Sequence, residues 1–204
     1  MNREIDTIVF DFGGVLIPWD YRAAFGWLKP KARRDQFFRE FDFLAFNHPR
    51  DQGVPFEEGL AELYRAGNPW AAVVAEYQSH YRETLGEPIP GMLELVMRLR
   101  QAGYRLYGLT NWWAETYHLA EEAVPAIAHL DGVVVSGQEG VAKPDPAIFH
   151  LLAERYQVDP VRAVFIDDSL ANVQAAAELG FHTIHFQGLE DLLVRLARLG
   201  VSTD

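Results

Sequence analysis

Short apolar runs alternate along the chain with longer stretches in which apolar residues recur at helical spacing. Ile8-Val9-Phe10 and Ala163-Val164-Phe165-Ile166 are uninterrupted apolar runs, a pattern typical of parallel strands that helices bury on both faces. Further strand-like runs cover residues 104–109 and 133–135. Helix and strand then alternate from residue 91 to the end, which predicts a parallel sheet with right-handed crossovers.

Glycine and proline mark the ends of the helices in this alternating region. Gly103 and Gly180 lie where two helices should stop, because glycine commonly follows the last helical turn. Pro144-Asp145-Pro146 has the form of a helix start, with the aspartate as N-cap and a proline at the first helical position. The predicted helices cover residues 91–102, 146–156 and 170–179.

Between Ile17 and Pro88 the alternation of helix and strand lapses. This segment is rich in Phe, Trp, Tyr, Leu and Ala, and it contains no convincing strand. Its pattern predicts helices over about 21–46, 56–66 and 70–85. We therefore predict an α/β fold in which a Rossmann-like, doubly wound parallel sheet carries an inserted all-helical unit.

Carboxylates follow two of the predicted strands. Asp11 comes directly after the first strand, and Asp167 and Asp168 end a later one. Ligands bind at the carboxyl ends of the strands in open α/β sheets, so we expect the three side chains to converge there. Such like charges are costly together unless a cation neutralises them, and Mg²⁺ suits an all-oxygen site. The alternative is that these aspartates only cap the turns that follow.

Two more polar sites lie between these carboxylates in the chain. The strand-like run to Leu109 ends in Thr110-Asn111, and Lys143-Pro144 follows the next strand after Gly140. In this order the residues resemble the four motifs of the haloacid dehalogenase (HAD) superfamily: a nucleophilic aspartate, a serine or threonine, a lysine and an acidic pair. The resemblance extends over residues 11–172 and therefore covers essentially the whole chain.

The helical insertion resembles the small cap of one HAD subgroup. The resemblance implies an α/β core domain of residues 1–17 and 86–204 and a helical cap domain of residues 18–85. Pro18 and the stretch 87–91 would be its hinges. Such caps close over the catalytic edge, select the substrate, exclude water and gate turnover. The alternative is a helical subdomain without a gating role.

The family resemblance implies a role for each motif. Asp11 would be the nucleophile and would form a covalent ester that water later cleaves. Thr110 would donate its hydroxyl, and Asn111 lies near enough to help bind the transferring group. Lys143 would pair with phosphate oxygens and restrain the charge of the nucleophile.

The same resemblance implies a magnesium site. Asp11 and Asp168 would ligate Mg²⁺ directly, together with the backbone carbonyl of Gly13. Asp167 would act on the metal through water or would orient the lysine. Asn172, one helical turn further on, would fix the acidic loop.

One residue departs from the pattern of the family's phosphatases. Most of them carry a second aspartate two residues after the nucleophile as general acid and base, but this chain has Gly13 there. General acid–base help is worth about 10² to 10⁴ in rate, so its loss favours substrates with good leaving groups. The stretch Asp-Phe-Gly-Gly-Val resembles a branch of sugar-1-phosphate phosphatases that also carry glycine. Asp20, Glu57 and Glu58 are candidate replacements by location alone.

Two other functions remain open from the sequence. A metal-independent 2-haloacid dehalogenase also lacks the second aspartate, but the Asp167-Asp168 pair would repel both its nucleophile and its carboxylate substrate. A non-catalytic module that binds a phosphorylated metabolite is the third hypothesis, and the intact nucleophile and lysine argue against it. Trp112 is a candidate for stacking on a substrate sugar, with packing between cap and core as the alternative.

Composition and charge narrow the class of partner. The chain has 18 basic and 29 acidic residues and a formal net charge of −11, which disfavours nucleic acid. It has no cysteine, which excludes thiolate metal sites, and no apolar run near the roughly 18 residues of a membrane span. We expect a cytoplasmic, magnesium-dependent phosphatase of a small phosphorylated metabolite, with no membrane partner; the sequence does not indicate an oligomeric state.

Overall fold

The computed structural model describes residues 5–203, and a five-stranded sheet forms its centre. The strands are β1 (Thr7–Phe10), β2 (Arg105–Thr110), β3 (Gly132–Val135), β4 (Ala163–Asp167) and β5 (His182–His185). Their order is β3-β2-β1-β4-β5, and every neighbouring pair is parallel. The chain winds outward from β1 on one side and then crosses to the other, which confirms the predicted doubly wound sheet. In such sheets ligands bind where the winding reverses, here between β1 and β4.

The register of the central strands aligns their carboxyl ends. Phe10 lies opposite Ile166 on β4 and opposite Gly108 on β2. One residue further on, the Asp11 amide donates a hydrogen bond to the Ile166 carbonyl at 2.9 Å. The residues that follow β1 and β4 therefore lie side by side at one edge of the sheet.

Helices cover both faces of the sheet and form the insertion between β1 and β2. The α-helices are α1 (Lys31–Glu40), α2 (Phe43–Asp51), α3 (Phe56–Arg65), α4 (Ala71–Ala75), α5 (Met92–Gln101), α6 (Tyr117–Ala123), α7 (Ser136–Glu139), α8 (Pro146–Tyr156), α9 (Leu170–Glu178) and α10 (Leu189–Arg198). Ile8 and Phe10 belong to the apolar cluster on one face, and Val9 belongs to the cluster on the other. This alternation is why the strands read as continuous apolar runs. None of the helices within residues 5–203 combines the length and apolarity that a membrane crossing requires.

The helices of the alternating region match their predicted bounds. At the start of α8 the Asp145 carboxylate accepts a hydrogen bond from the Ala147 amide at 2.8 Å, as an N-cap does. Gly103 and Gly180, which follow α5 and α9, have φ angles of +88° and +93°. Glycine adopts this left-handed conformation without a steric penalty, so it ends helices readily.

The prediction of one helix over residues 21–46 was wrong. The chain forms a short 3₁₀ turn at Ala23–Phe25, begins α1 only at Lys31, and then starts a separate α2 that continues to residue 51. Pro30 lacks the amide hydrogen that a residue inside a helix donates, and α1 starts directly after it. The carboxylate of Asp42 accepts from the Ala45 amide at 3.0 Å and starts α2.

The predicted helix over residues 70–85 is also divided, into α4 and a 3₁₀ segment at Gln78–Thr84. Aromatic side chains from these short elements pack together. The ring of Phe25 lies 4.6 Å from that of Phe37 and 5.4 Å from that of Tyr77. The buried aromatic rings point in several directions. Their spacing along the sequence therefore does not follow the simple period of one long helix.

The two connections between the insertion and the sheet lie side by side. The Asp20 amide donates to the Thr84 carbonyl at 2.9 Å, and the Gly86 amide donates to the Pro18 carbonyl at 3.1 Å. The insertion therefore leaves and rejoins the sheet at one place, next to the residues that follow β1.

Candidate active site

Asp11 lies directly after β1 and is buried, with 7% of its surface exposed. Its Oδ1 accepts a hydrogen bond from the Phe12 amide at 2.7 Å and lies 2.8 Å from the Lys143 ammonium. Burial and the negative charge of Asp167 raise the pKa of Asp11, while the ammonium opposes this shift. The carboxylate thus depends on nearby positive charge to remain ionised.

Lys143 is buried and places a positive charge beside Asp11 and Asp167. Its Nζ lies 2.8 Å from Asp11, 2.7 Å from Asp167 and 2.7 Å from the Leu109 carbonyl oxygen, so all three of its N–H donors have an acceptor. Burial disfavours the charged amine, but the two carboxylates outweigh it and raise the pKa of Lys143 above its ordinary value. The side chain is therefore a fixed cation.

Asn111 holds the backbone of this lysine. Its Oδ1 accepts from the Lys143 amide, and its Nδ2 donates to the Lys143 carbonyl, both at 2.9 Å. Sequence reasoning placed Asn111 near the transferring group, and it does line the cavity described below. Its amide, however, is engaged with the lysine backbone, a contact that no sequence pattern indicated.

Asp167 is fully buried, and both its oxygens have partners. Oδ1 accepts from the Ser169 amide at 2.8 Å, Oδ2 accepts from Lys143, and Asn172 Nδ2 lies 3.0 and 3.1 Å from the two oxygens. Asp167 therefore orients the ammonium, while Asn172, on α9, fixes Asp167.

Asp168 differs from its neighbour because its side chain reaches the cavity. Burial and the charge of Asp167 raise the pKa of Asp168, against the influence of Lys143. Gly14 has a φ angle of +75°, and a Cβ atom there would overlap the Asp168 carboxylate. Glycine is thus required at position 14 for conformation and for space.

The carboxylates form a cluster of suitable composition for a divalent cation. One oxygen from each of Asp11, Asp167 and Asp168 lies within 4.8 Å of the others. Three carboxylates beside the single ammonium of Lys143 leave a net negative charge in the site. A hard divalent cation bound by the carboxylate oxygens would neutralise it.

Thr110 ends β2 and is fully buried. Its hydroxyl has no hydrogen-bond partner among residues 5–203. A buried hydroxyl without a partner costs about 1 to 3 kcal/mol, so an acceptor brought to this position would be stabilised.

A cavity of about 430 Å³ joins these residues to the insertion. On the sheet side it is lined by Asp11, Gly13, Gly14, Asn111, Trp112, Lys143, Asp168 and Asn172. From the insertion, Leu44, Asn47, His48 and Asp51 of α2 face it, at the i, i+3, i+4 and i+7 spacing of one helix side. The remaining wall comes from Trp19 and Tyr81. The volume suits a small molecule.

Asp51 is a cavity residue that sequence reasoning missed. Asn47 Nδ2 donates to Asp51 Oδ2 at 2.8 Å, and burial raises the pKa of Asp51 to about 7. The predicted helix ended at residue 46, one turn too early to place this carboxyl on a helix side. The three acids proposed from location, Asp20, Glu57 and Glu58, are exposed and do not line the cavity.

The two adjacent tryptophans that follow Asn111 have different surroundings. Trp113 is buried between insertion residues, with its ring 5.6 Å from Phe56 and 5.4 Å from Tyr77. Trp112 lines the cavity, is 3% exposed, and lies 6.0 Å from the Tyr81 ring. Trp113 thus packs insertion against sheet, whereas Trp112 combines packing with a place in the cavity wall.

Comparison with known proteins agrees with this geometry. The mouse protein acyl-CoA dehydrogenase family member 10 is 30% identical over 97% of this chain, although the chain spans only 19% of its length. The D-ribitol-5-phosphate phosphatase of Bacteroides thetaiotaomicron is 27% identical, over 88% of this chain and 90% of that protein. A HAD family enzyme of the same bacterium, solved as a magnesium complex, superposes with a TM-score of 0.73 at 24% identity, covering 95% of this chain and 100% of its own.

A family model for haloacid dehalogenase-like hydrolases matches residues 5–180, most of the chain. The matched region contains all four motifs, from Asp11 to the acidic pair at Asp167 and Asp168. The chain therefore belongs to the haloacid dehalogenase-like hydrolases and is a hydrolase.

Proposed function

We propose that the protein is a magnesium-dependent phosphatase that hydrolyses a small phosphorylated metabolite through an aspartyl-phosphate intermediate. The observation that carries the proposal is the Asp11 carboxylate, held 2.8 Å from a fully buried ammonium at the wall of a small-molecule cavity. A nucleophile beside fixed positive charge suits attack on an anionic group. The name of the Bacteroides relative, a phosphatase, supports the same reaction.

The residues of the site divide the reaction among them. Asp11 would attack phosphorus, and the P–O bond to the leaving group would break. Lys143 would offset the negative charge on the transferring oxygens, and the unpartnered Thr110 hydroxyl would donate to one of them. Water would then cleave the aspartyl ester and regenerate the carboxylate.

Mg²⁺ is the cofactor that the donor set favours. Asp11, Asp168 and the backbone carbonyl of Gly13 would hold the ion, which when bound would neutralise charge on the phosphoryl group. Asp167 would act on the ion through water and would not ligate it directly, because its oxygens already accept hydrogen bonds from Lys143, Ser169 and Asn172.

The helical insertion would serve as a cap. In this proposal residues 1–17 and 86–204 form the catalytic core, and residues 18–85 form the cap that selects the substrate. The side of α2 that faces the cavity supports this division, because it supplies four lining residues opposite the sheet edge. Trp112 would contribute an aromatic surface to the same substrate.

The missing aspartate at position 13 bears on the substrate. The core alone offers no general acid there, so it favours substrates with good leaving groups, such as a phosphate on an anomeric sugar carbon. Nucleic acid and membranes are not partners in this proposal, since a charge of −11 opposes a polyanion.

The dehalogenase hypothesis has less support. A haloacid substrate is itself a carboxylate, and the cavity already presents Asp168 beside Asp11. The added negative charge would repel it in the absence of a metal.

The test is phosphate release from sugar phosphates, acyl phosphates and nucleotides, with and without Mg²⁺. We expect metal-dependent release that Asp11→Asn abolishes. Halide release from 2-chloropropionate without phosphate release would favour the dehalogenase instead. No activity in either assay would favour a non-catalytic binding module.

A further inference from the structure

We propose that Asp51, on the cap helix α2, is the general acid and base of this enzyme and replaces the carboxyl that is absent at Gly13. The inference rests on the phosphatase function proposed above and adds a catalytic residue to it.

The first support is position. Asp51 is the last residue of α2, and its side chain lines the same cavity as Asp11, Lys143 and Asp168. It is the only carboxyl that the insertion contributes to the lining within the described residues. A cavity with a nucleophile on its sheet side thus has an acid on its cap side.

The second support is that the structure fixes this carboxyl in place. Asn47 Nδ2 donates to Asp51 Oδ2 at 2.8 Å, and Asn47 is itself buried. The chain that follows Asp51 lies against the core, since a Cβ atom on Gly53 would come within 2.8 Å of the Gly137 carbonyl oxygen. Further along, the Phe56 amide donates to the Glu115 carboxylate at 3.3 Å. The segment that follows Asp51 therefore contacts the core at Gly137 and at Glu115.

The third support is protonation state. The other titratable groups that line the cavity are His48 on the same helix, Tyr81 on the neighbouring segment, and, on the core side, Asp11, Lys143 and Asp168. Burial, together with the charge of Asp51, raises the pKa of Tyr77 and of Tyr81. Burial outweighs the Asn47 hydrogen bond and the Lys143 charge, and it raises the pKa of Asp51 to about 7. A carboxyl that is partly protonated at neutral pH suits both donation and removal of a proton.

The fourth support is complementarity with position 13. Gly13 lines the cavity, and the nearest atom to an added Cβ there is the Trp19 Cβ at 3.9 Å, an ordinary contact. A Cβ atom therefore fits at position 13, but this chain has no side chain there. An acidic side chain from the cap would donate the proton although position 13 has no acidic side chain.

The proton balance of the two steps is complete. When Asp11 attacks phosphorus and the ester P–O bond breaks, the Asp51 proton passes to the leaving oxygen, which departs as an alcohol. A water molecule then attacks the aspartyl phosphate and gives its proton to the Asp51 carboxylate. The products are the alcohol, phosphate and the original enzyme.

The test compares leaving groups in Asp51→Asn, which keeps the shape of the side chain. Glycerol 3-phosphate has a poor leaving group, whereas p-nitrophenyl phosphate and acetyl phosphate need no protonation. We expect kcat for glycerol 3-phosphate to fall by about 10² to 10⁴, with kcat for the two activated substrates nearly unchanged. A structural defect would lower all three rates together, and that result, like no loss at all, would overturn the proposal.

Matched variants separate Asp51 from other groups. Asp20→Asn and Glu57→Gln remove exposed acids outside the cavity and should leave all three rates unchanged. If His48→Gln, rather than Asp51→Asn, produces the selective loss, the proton comes from the histidine and the proposal is wrong.

Measurements on the wild-type enzyme separate a failure of the proposed phosphatase function from a failure of the role of Asp51. No metal-dependent phosphate release from any of the three substrates would mean that the proposed phosphatase function is wrong. Release from p-nitrophenyl phosphate and acetyl phosphate but none from glycerol 3-phosphate would leave the phosphatase function standing and overturn the role of Asp51.

Discussion

Asn111 and Lys143 are joined by two hydrogen bonds of 2.9 Å, one in each direction between the asparagine amide and the lysine backbone. The side chain that follows β2 thus sets the position of the loop that carries the buried ammonium. Because the lysine side chain in turn contacts Asp11, Asn111 influences the surroundings of Asp11 indirectly, through Lys143.

We predict that Asn111→Ala lowers kcat for p-nitrophenyl phosphate by roughly 10- to 100-fold, because small displacements of a catalytic group carry penalties of this size. Asn68→Ala is the matched control, since Asn68 Oδ1 accepts from the Trp70 amide at 2.9 Å in the insertion, away from the site. Steady-state kinetics on both variants measure the difference. Equal kcat values for the two variants would contradict the positioning role.

Lys143→Met should abolish phosphatase activity and lower the free energy of unfolding by about 3 to 5 kcal/mol. The change leaves two buried carboxylates without their counter-ion. Urea unfolding gives the measurement. The control is Lys31→Met, which removes an exposed pair with Asp35 and should leave the stability nearly unchanged. A similar loss of stability in both variants would show that the buried ion pairs stabilise the protein no more than the exposed pair does.

Gly14→Ala and Gly13→Ala should differ sharply. Gly14→Ala places a methyl group against Asp168 at a positive φ angle, which alone costs about 1 to 2 kcal/mol. We expect it to lower the melting temperature and to weaken the stabilisation that added Mg²⁺ provides in a thermal-shift assay. Gly13→Ala has room for its methyl group and should retain both properties. Identical behaviour of the two variants would show that the contact with Asp168 is unimportant.

The stability of the protein should depend on pH through Asp51. The pKa of this carboxyl is raised to about 7 in the folded state, so the folded protein binds its proton more tightly than the unfolded chain does. The resulting stabilisation is fully present below the ordinary pKa of an aspartate and is lost as the pH rises through 7. Asp51→Asn removes this loss, so its unfolding free energy relative to wild type should rise between pH 4 and pH 8, by up to about 4 kcal/mol.

Urea unfolding of both proteins across that range tests the pH prediction. A stability difference that does not vary with pH would mean that Asp51 titrates as an ordinary exposed aspartate. A more stable Asp51→Asn variant would also exclude unfolding as the cause of its kinetic defect.

Gly13→Asp should supply the second acid that is typical of phosphatases in this family. In the Asp51→Asn background we expect it to restore turnover of glycerol 3-phosphate by at least about 10-fold, because general acid help is worth about 10² or more. The double variant and its parents are compared by phosphate release at pH 7. If p-nitrophenyl phosphate gains as much as glycerol 3-phosphate, the new side chain acts by something other than proton donation.

The catalytic edge of the sheet was accessible from sequence because its residues follow strands. Asp11 directly follows an apolar run that reads as a buried strand, and parallel strands bring such ends together wherever they lie in the chain. The motif order added Thr110 and Lys143 by resemblance. Each of these positions is fixed by local pattern and sheet topology.

The cap side of the cavity was not accessible in this way. Asp51 faces the cavity because α2 starts after its N-cap Asp42 and continues past Pro49 to residue 51, whereas a proline usually indicates the end of a helix. Periodicity alone placed the helix end at residue 46. The two hydrogen bonds between Asn111 and the Lys143 backbone were also not predicted, because they join residues 32 apart whose proximity depends on the tertiary fold.

The side-by-side connections of the insertion have a consequence for how such enzymes diversify. Since the chain departs after Pro18 and returns at Gly86 through hydrogen bonds between neighbouring backbones, the sheet meets the insertion as it would meet a single loop. The cost of closing a loop grows only slowly with its length, so the intervening segment can be lengthened, shortened or rewritten with little strain on β1. Helix α2 and its acid belong to that exchangeable segment. In the proposed mechanism, the residues that recognise the substrate and deliver the proton can therefore change together in evolution, while Asp11 and Lys143 stay in place.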